Sequence, residues 1–344
     1  MSYTVRSSEQ TRKSGADGET KALLYLMNFR DDSHEIYYFV VDFFNDLTGM
    51  DRYSNKLWDV QSKAAKGNSP KAIGKELVTL FKNYLSDFNF THYILFVGGT
   101  SGRVCIDPKI NPFKIDNVDY DARIKIIEGL KEEANVKEYI NDADITDENI
   151  SNFLDLVIFV VDDKAPSEYV KAIIKNHPRI IPEESILNAI FNELRDKQAS
   201  KKNTKVEGIT IETTDEALNY FRHLTNDEIR LFVLQRIINR NPVEKGIPQP
   251  FIPIYSACPP EQQKDLLDEC KQSMCRALFN KNASDEFWSL LENICQIITS
   301  HPQDTVQNIY LRIDPAVKAG CPDFDSQSLK YFIAIVKEGI QSED

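Results

Sequence analysis

Two short runs decide most of what this chain can fold into: residues 92–97 (HYILFV), closed by Gly98-Gly99, and residues 154–161 (LDLVIFVV). Near-continuous apolar runs of this length are strands covered on both faces. Strands of that kind need helices above and below, and helical periodicity supplies them. Residues 19–29 carry Ala22, Leu23, Leu24, Leu26 and Met27. Residues 69–84 open with Ser69 as N-cap and Pro70 in the first turn, and present Ile73, Leu77, Leu80, Phe81 and Tyr84 along one face. An acidic amphipathic helix spans 123–140, and another helix lies near 167–175. Residues 35–45 are dense in Tyr, Phe, Ile and Val, and 57–63 make a second short strand. Gly49, Asp51 and Asn55 place a turn between them, so the two strands form a β-hairpin. The region to about residue 200 is therefore an α/β unit with a mixed central sheet flanked by helices.

Beyond it the pattern changes. Residues 197–205 (KQASKKNTK) are a polar break and read as a linker. From residue 205 to the C-terminus the pattern is mainly helical. A capping box at residues 225–228 precedes Ile229, Phe232, Val233, Arg236 and Ile237. Pro259-Pro260 starts a helix with Leu266, Leu267, Cys270, Met274 and Leu278, and Ser284 caps one with Phe287, Leu290, Leu291, Ile294, Cys295 and Ile298. A last helix covers 327–340, and the Pro-containing stretch 241–256 reads as irregular. The expected organisation is a loose tail over 1–14, an α/β domain over 15–200 and a helical domain over 205–344.

Charge and composition narrow the function classes. The chain carries 41 Lys+Arg against 53 Asp+Glu, a net charge of −12, which is the wrong sign for a protein that coats polyanions indiscriminately. At 42% hydrophobic and 27% charged residues it is not a disordered chain. Residues 1–18 lack the apolar core of a signal peptide, and no apolar run is long enough to span a bilayer. The expectation is a cytoplasmic protein with no membrane partner. The six cysteines, Cys105, Cys258, Cys270, Cys275, Cys295 and Cys321, show no C-x-x-C spacing and read as reduced thiols.

Most catalytic motifs are missing. There is no G-x-G-x-x-G after a strand, no H-E-x-x-H and no zinc spacing, and the five histidines are scattered. Residues 67–76 (GNSPKAIGKE) resemble a phosphate loop superficially, but Glu76 stands where a Mg²⁺-binding hydroxyl belongs. Residues 98–102 (GGTSG) read as a strand-end turn. One constellation remains, in residues 40–63 (VVDFFNDLTGMDRYSNKLWDVQSK). Strand periodicity puts Asp42, Phe44 and Asp46 on one face, and Asp59, Gln61 and Lys63 on one face of the next strand. A hairpin then sets Asp46 beside Gln61 and Lys63. Burying such groups is costly unless they pair or hold a cation. A carboxylate, an amide oxygen and a strand carbonyl suit a hard cation, and a nearby lysine suits a developing phosphate charge. A solvent-facing strand with an Asp46–Lys63 salt bridge accounts for the same pattern.

An acid, then Q-x-K on the following strand, resembles the signature of the PD-(D/E)xK, restriction-endonuclease-like nucleases, in the Q-x-K form of the Mrr-like branch. The order of elements is similar to the double-stranded-DNA endonuclease domain of CD-NTase-associated and HerA-associated anti-phage effectors: Glu19 on a helix, Asp42 and Asp46, a turn at Thr48-Gly49, Gln61-Ser62-Lys63, then the helix from Pro70 and a later apolar strand. Asn45 stands where relatives often have a second acid, and the C-terminal half does not resemble a nucleotide-sensing SAVED domain. The resemblance covers about half the chain. It implies a restriction-endonuclease-like fold and a Mg²⁺- or Mn²⁺-dependent DNA endonuclease of a bacterial defence system. Asp46 would be the main metal ligand, Gln61 a second ligand or a water-positioning group, and the Ser62 carbonyl a further ligand. Lys63 would assist the attacking water and the developing phosphate charge, and Asp42 and Glu19 would be accessory acids tuning a second metal or Lys63. For Asp59 a surface salt bridge is the competing role. Residues 56–82 hold six lysines against two acids, so Lys66, Lys71 and Lys75 are candidates for DNA phosphate contacts. The resemblance also implies a homo-oligomer, or a partner such as a HerA-like ATPase or a nucleotide-signalling protein, docked on the helical half. A catalytically inactive scaffold or DNA-binding adaptor is the alternative.

Overall fold

The aromatic and β-branched stretch after residue 35 does not enter a two-stranded hairpin; it opens a three-stranded antiparallel meander. The computed structural model describes residues 2–6, 13–101, 104–175, 177, 180–243 and 246–341. In chain order the elements to the end of the sheet are β1 (Tyr3–Thr4), α1 (Lys13–Asn28), β2 (Ile36–Val41), β3 (Leu47–Asp51), β4 (Leu57–Lys63), α2 (Pro70–Glu76), α3 (Val78–Tyr84), β5 (Phe90–Val97), α4 (Tyr120–Asn135), α5 (Asp147–Leu156), β6 (Val157–Val161), α6 (Pro166–Ile173), α7 (Glu184–Ser200), β7 (Thr210–Ile211) and β8 (His223–Thr225). The chain divides into two compact units, residues 1–169 with 191–226, and residues 170–190 with 227–344.

The first unit is built on a mixed six-stranded sheet of order β6-β5-β4-β3-β2-β8. β2, β3 and β4 run antiparallel to their neighbours in the meander, β8 pairs antiparallel with β2, and β5 and β6 continue parallel to β4. Helix α1 packs on β3 and β4, and α3 on β4 and β5. Ile94 and Leu95 face opposite sides of β5 and are both fully buried, which is why that run carries no polar alternation. α2 and α4 cross at two glycines. A Cβ on Gly74 would lie 2.0 Å from the Ile126 carbonyl oxygen, and one on Gly129 would lie 2.1 Å from that of Lys71. The backbones touch directly, so this crossing tolerates no side chain at either position.

Several expectations need correction. Thr48 and Gly49 sit within β3, not in a turn, and the turn falls after Asp51. The helix expected over 69–84 is broken at Leu77, whose amide bonds back to Gly74 rather than one residue further; Ser69 does cap it, accepting from Ala72 N–H at 3.3 Å. Residues 154–156 belong to the end of α5, where Asp155 faces solvent, and the strand starts at Val157. The start of the expected tail is structured: β1 pairs with β7, and Tyr3 is buried against Phe44 and Phe88. Residues 7–12 of that tail lie outside the described residues. The polar segment 197–205 is not a linker. α7 runs to Ser200, a 3-10 turn covers Lys201–Asn203, and Gln198 is buried, accepting a hydrogen bond from Thr20.

The second unit is helical: α8 (Asn226–Ile237), α9 (Ile252–Ser256), α10 (Gln263–Phe279), α11 (Ser284–Ser300), α12 (Val306–Arg312), α13 (Pro315–Ala319) and α14 (Ser326–Gln341). α14 packs on α10, α11 and α12 around buried Phe287, Trp288, Leu291, Tyr331 and Phe332. Ser284 is the first residue of α11 rather than its cap, and it is held by buried Arg230, which also donates to the Leu278 carbonyl at 3.0 Å. All six cysteines carry free thiols, and burial pushes those of Cys270, Cys295 and Cys321 up to about 12. Among the described residues no helix is long and apolar enough to cross a membrane.

Candidate active site

The site begins where β2 stops. Strand pairing ends at Val41, and Asp42 takes a left-handed backbone (φ 49°). Its N–H donates to the Asp46 carbonyl at 3.0 Å, closing a short loop, and the Asn45 side chain accepts from Asp46 N–H at 2.9 Å. Asp42, Phe44 and Asp46 therefore do not share a strand face. Phe44 turns into the core. The Asp42 carboxylate pairs at 2.7 Å with the buried guanidinium of Arg222, just before β8. Asp46 is delivered to the position expected for it, but by β3 and not by β2: Leu47 pairs with Val60, so the residue before it faces Gln61.

Asp46 Oδ2 accepts from Gln61 Nε2 at 2.7 Å and from the Ser62 N–H at 2.8 Å. The N–H and C=O of a strand residue project from the same edge, so the Ser62 carbonyl is on the Asp46 side, beyond the last pair of β3. Lys63 ends β4, and its ammonium lies 3.0 Å from Glu76 of α2. Glu19 of α1 is buried and held by Lys202 at 2.7 Å. Burial, and then the Glu19 charge, push the Asp46 carboxyl up to about 7 against the pull of the Ser62 N–H, Lys63 and Lys202. Burial also raises Glu19, opposed by Lys202. A half-buried acid raised this far is an anion short of positive charge.

Asp46, Gln61, Lys63 and Glu76 open onto a cleft of about 300 Å³ that Lys75, Lys137 and Tyr139 also line. Lys63 borders a second cleft of about 410 Å³ at the C-terminal ends of β4, β5 and β6, shared with Lys21, Lys66 and Lys164. The three lysines proposed for phosphates thus separate. Lys66 lies at the second cleft, whereas Lys71 and Lys75 both pair with Glu132 on α4, Lys75 at 3.4 Å. Asp59 is not a surface residue. It is fully buried beneath α3 and accepts from Asn83 Nδ2 at 2.6 Å; burial pushes its carboxyl up and pulls the ammonium of neighbouring Lys82 down. Tyr3 closes this network by donating to Asn83 Oδ1 at 2.8 Å.

The structure brings together Asp46, Gln61, Ser62, Lys63 and Glu19, and ties Asp42 to Arg222. It adds Glu76, Lys202 and Arg222, which sequence reasoning does not place there. Only Glu76 has a signal, standing on the helix whose cap is readable; Lys202 lies in a segment that reads as linker. Among the described residues no three His, Cys, Asp or Glu side chains gather as a metal-holding group. A cation here would rest on one carboxylate, an amide oxygen and a backbone carbonyl. That set fits a hard divalent ion: Asp46 Oδ1 is left by bonds that both go to Oδ2, and turning over the Gln61 amide presents Oε1. No protein-family model matches this chain, and no curated protein or solved structure matches it.

Proposed function

We propose that this chain is a divalent-metal-dependent nuclease that hydrolyses phosphodiester bonds in double-stranded DNA. The observation that carries the reading is the convergence at one cleft of Asp46, which immediately precedes β3, with Gln61 and Lys63 on the adjoining strand, the Ser62 N–H between them donating to Asp46. The order of elements supports it: a helix bearing Glu19, antiparallel strands, Q-x-K on the last of them, helices, and a parallel strand. It agrees with the restriction-endonuclease-like resemblance in the helix bearing Glu19, the acid ahead of the Q-x-K strand, the helix after it and a later apolar strand, with β3 standing where the resemblance has a turn. Mg²⁺ or Mn²⁺ would be held by Asp46, Gln61 and the Ser62 carbonyl, and would supply charge for the phosphate and for a bound water. Lys63 would face the developing phosphate charge, with Glu76 fixing where its ammonium lies. Lys66 would meet phosphates at the second cleft, and Lys71 and Lys75 would do so by exchanging Glu132 for DNA. In the setting of the resemblance, the protein is a cytoplasmic anti-phage effector activated by self-assembly or by a HerA-like or nucleotide-signalling partner.

One observation favours the inactive-scaffold reading: Lys63, Lys71 and Lys75 are all engaged by carboxylates. Plasmid cleavage with Mg²⁺ or Mn²⁺, beside EDTA, separates the two. Cutting is expected with metal and is expected to fall about a hundredfold or more in Lys63→Ala. A folded protein that never cuts, alone or with its partner, would establish the scaffold. On DNA, Lys71→Ala and Lys75→Ala are each expected to weaken binding alike across sequences and to lower the slope of log affinity against log salt by about one. An unchanged slope would remove these lysines from the interface.

A further inference from the structure

The carboxylates around the site are not equally in need of a cation. Asp42 is held by Arg222 at 2.7 Å, and the Arg222 side chain is almost fully buried. Glu19 is held by Lys202, whose ammonium reaches both carboxylate oxygens, at 2.7 and 3.0 Å. Asp46 receives its hydrogen bonds from neutral donors, Gln61 Nε2 and the Ser62 N–H. Lys63 and Glu76 face one another. Two of the three acids thus pair directly with well-buried cationic side chains, whereas the direct hydrogen bonds of Asp46 come from neutral donors, with Lys63 and Lys202 acting on it only through space. A single divalent ion at Asp46 already turns the local balance positive. A second would bring two more positive charges beside Lys202 and Arg222 in a poorly solvated place, where like charges repel strongly.

We propose that the Lys202 ammonium occupies the place beside Glu19 that a second metal would take, so that this site binds one divalent cation and not two. The inference rests on the metal-dependent reading above. Lys202 is then a positioning residue: it holds Glu19 and contributes fixed positive charge next to the ion. The residue comes from the turn after α7, far along the chain from the strands of the site, so the device is built by the tertiary fold.

The test is Mn²⁺ binding to the full chain at pH 8, with stoichiometry from equilibrium dialysis and environment from electron paramagnetic resonance. The wild-type protein is expected to bind one Mn²⁺ with the spectrum of an isolated ion, and Lys202→Met, which frees Glu19, to bind two. Glu19→Gln is expected to keep one. Two ions in the wild type, or the spectrum of an exchange-coupled pair, would overturn the inference while leaving the metal-dependent reading intact. One ion in folded Lys202→Met would also overturn it, because Lys202 would then not be what excludes the second. No bound Mn²⁺ at all would overturn both. If Lys202→Met does not fold, Lys202→Gln takes its place with the same expected outcomes, and two ions in the wild type would still overturn the inference.

Discussion

Asp46→Asn is expected to lower metal-dependent DNA cleavage about a thousandfold or more, and to leave the fold as stable as before or more so. The loss is the equivalent of about 4 kcal/mol of transition-state stabilisation, what an active-site cation supplies when it is correctly held. The gain in stability follows from burial. The Asp46 carboxyl is raised from 3.8 to about 7 in the folded chain. The folded state therefore holds this proton more tightly than the unfolded chain does. Its contribution to stability falls as pH rises from about 4 to about 7, and the full cost remains above that. By linkage that cost is at most about 4 kcal/mol. Asn keeps an oxygen for Gln61 and Ser62 but never ionises. Thermal melts at pH 5 and pH 8 read the difference: the wild type loses more stability across that interval than the variant. Mn²⁺ at pH 8 is expected to raise the melting temperature of the wild type alone. Equal metal stabilisation of both proteins, or undiminished cutting by the variant, would rule out Asp46 as the ligand.

Gly74→Ala is expected to destabilise the first unit by about 3 kcal/mol, an effect outside the usual range of helix Gly→Ala changes, which normally stabilise. The added carbon would lie 2.0 Å from the Ile126 carbonyl oxygen, and the obstacle is backbone, so no side-chain rotation relieves it. α2 must move off α4. α2 also carries Glu76, which holds Lys63, and Lys75, which lines the cleft, so cleavage is expected to fall with stability. Chemical denaturation of Gly74→Ala beside Gly67→Ala, where an added Cβ meets open space, separates the crossing from a general effect of removing glycine. Equal stability of the two variants would show that α2 and α4 adjust at no cost.

Much of the scaffold is legible in the chain because its signals are local. The β5 run is apolar since both sheet faces are covered there, and Ser69-Pro70 announces α2 through one cap and one missing N–H. The Q-x-K strand reads with its correct face, because a strand's alternation depends on nothing outside it. The loop 42–46 reads as strand for the converse reason. Phe43 and Phe44 are apolar whether they lie in a strand or fold into the core from a loop, and the left-handed turn at Asp42 leaves no mark that a period-two pattern can detect. Residues 197–205 read as a linker on their charge, yet Gln198 and Lys202 are polar because Thr20 and Glu19 await them.

The division between sequence and structure is one of range. Apolar periodicity, caps and the spacing of Gln61, Ser62 and Lys63 act over a few residues, so the amino-acid order alone determined the mixed sheet, its covering helices, the helical second half and the strand that presents the candidate site. Which charges neutralise which acids is settled across long separations, between Asp42 and Arg222, Glu19 and Lys202, Lys63 and Glu76. Electrostatic energy depends on distance in space and on shielding from water, and neither is written in neighbouring residues. Only the tertiary structure could show that Asp42 and Glu19 pair directly with Arg222 and Lys202 while Asp46 is hydrogen-bonded by the neutral donors of Gln61 and Ser62.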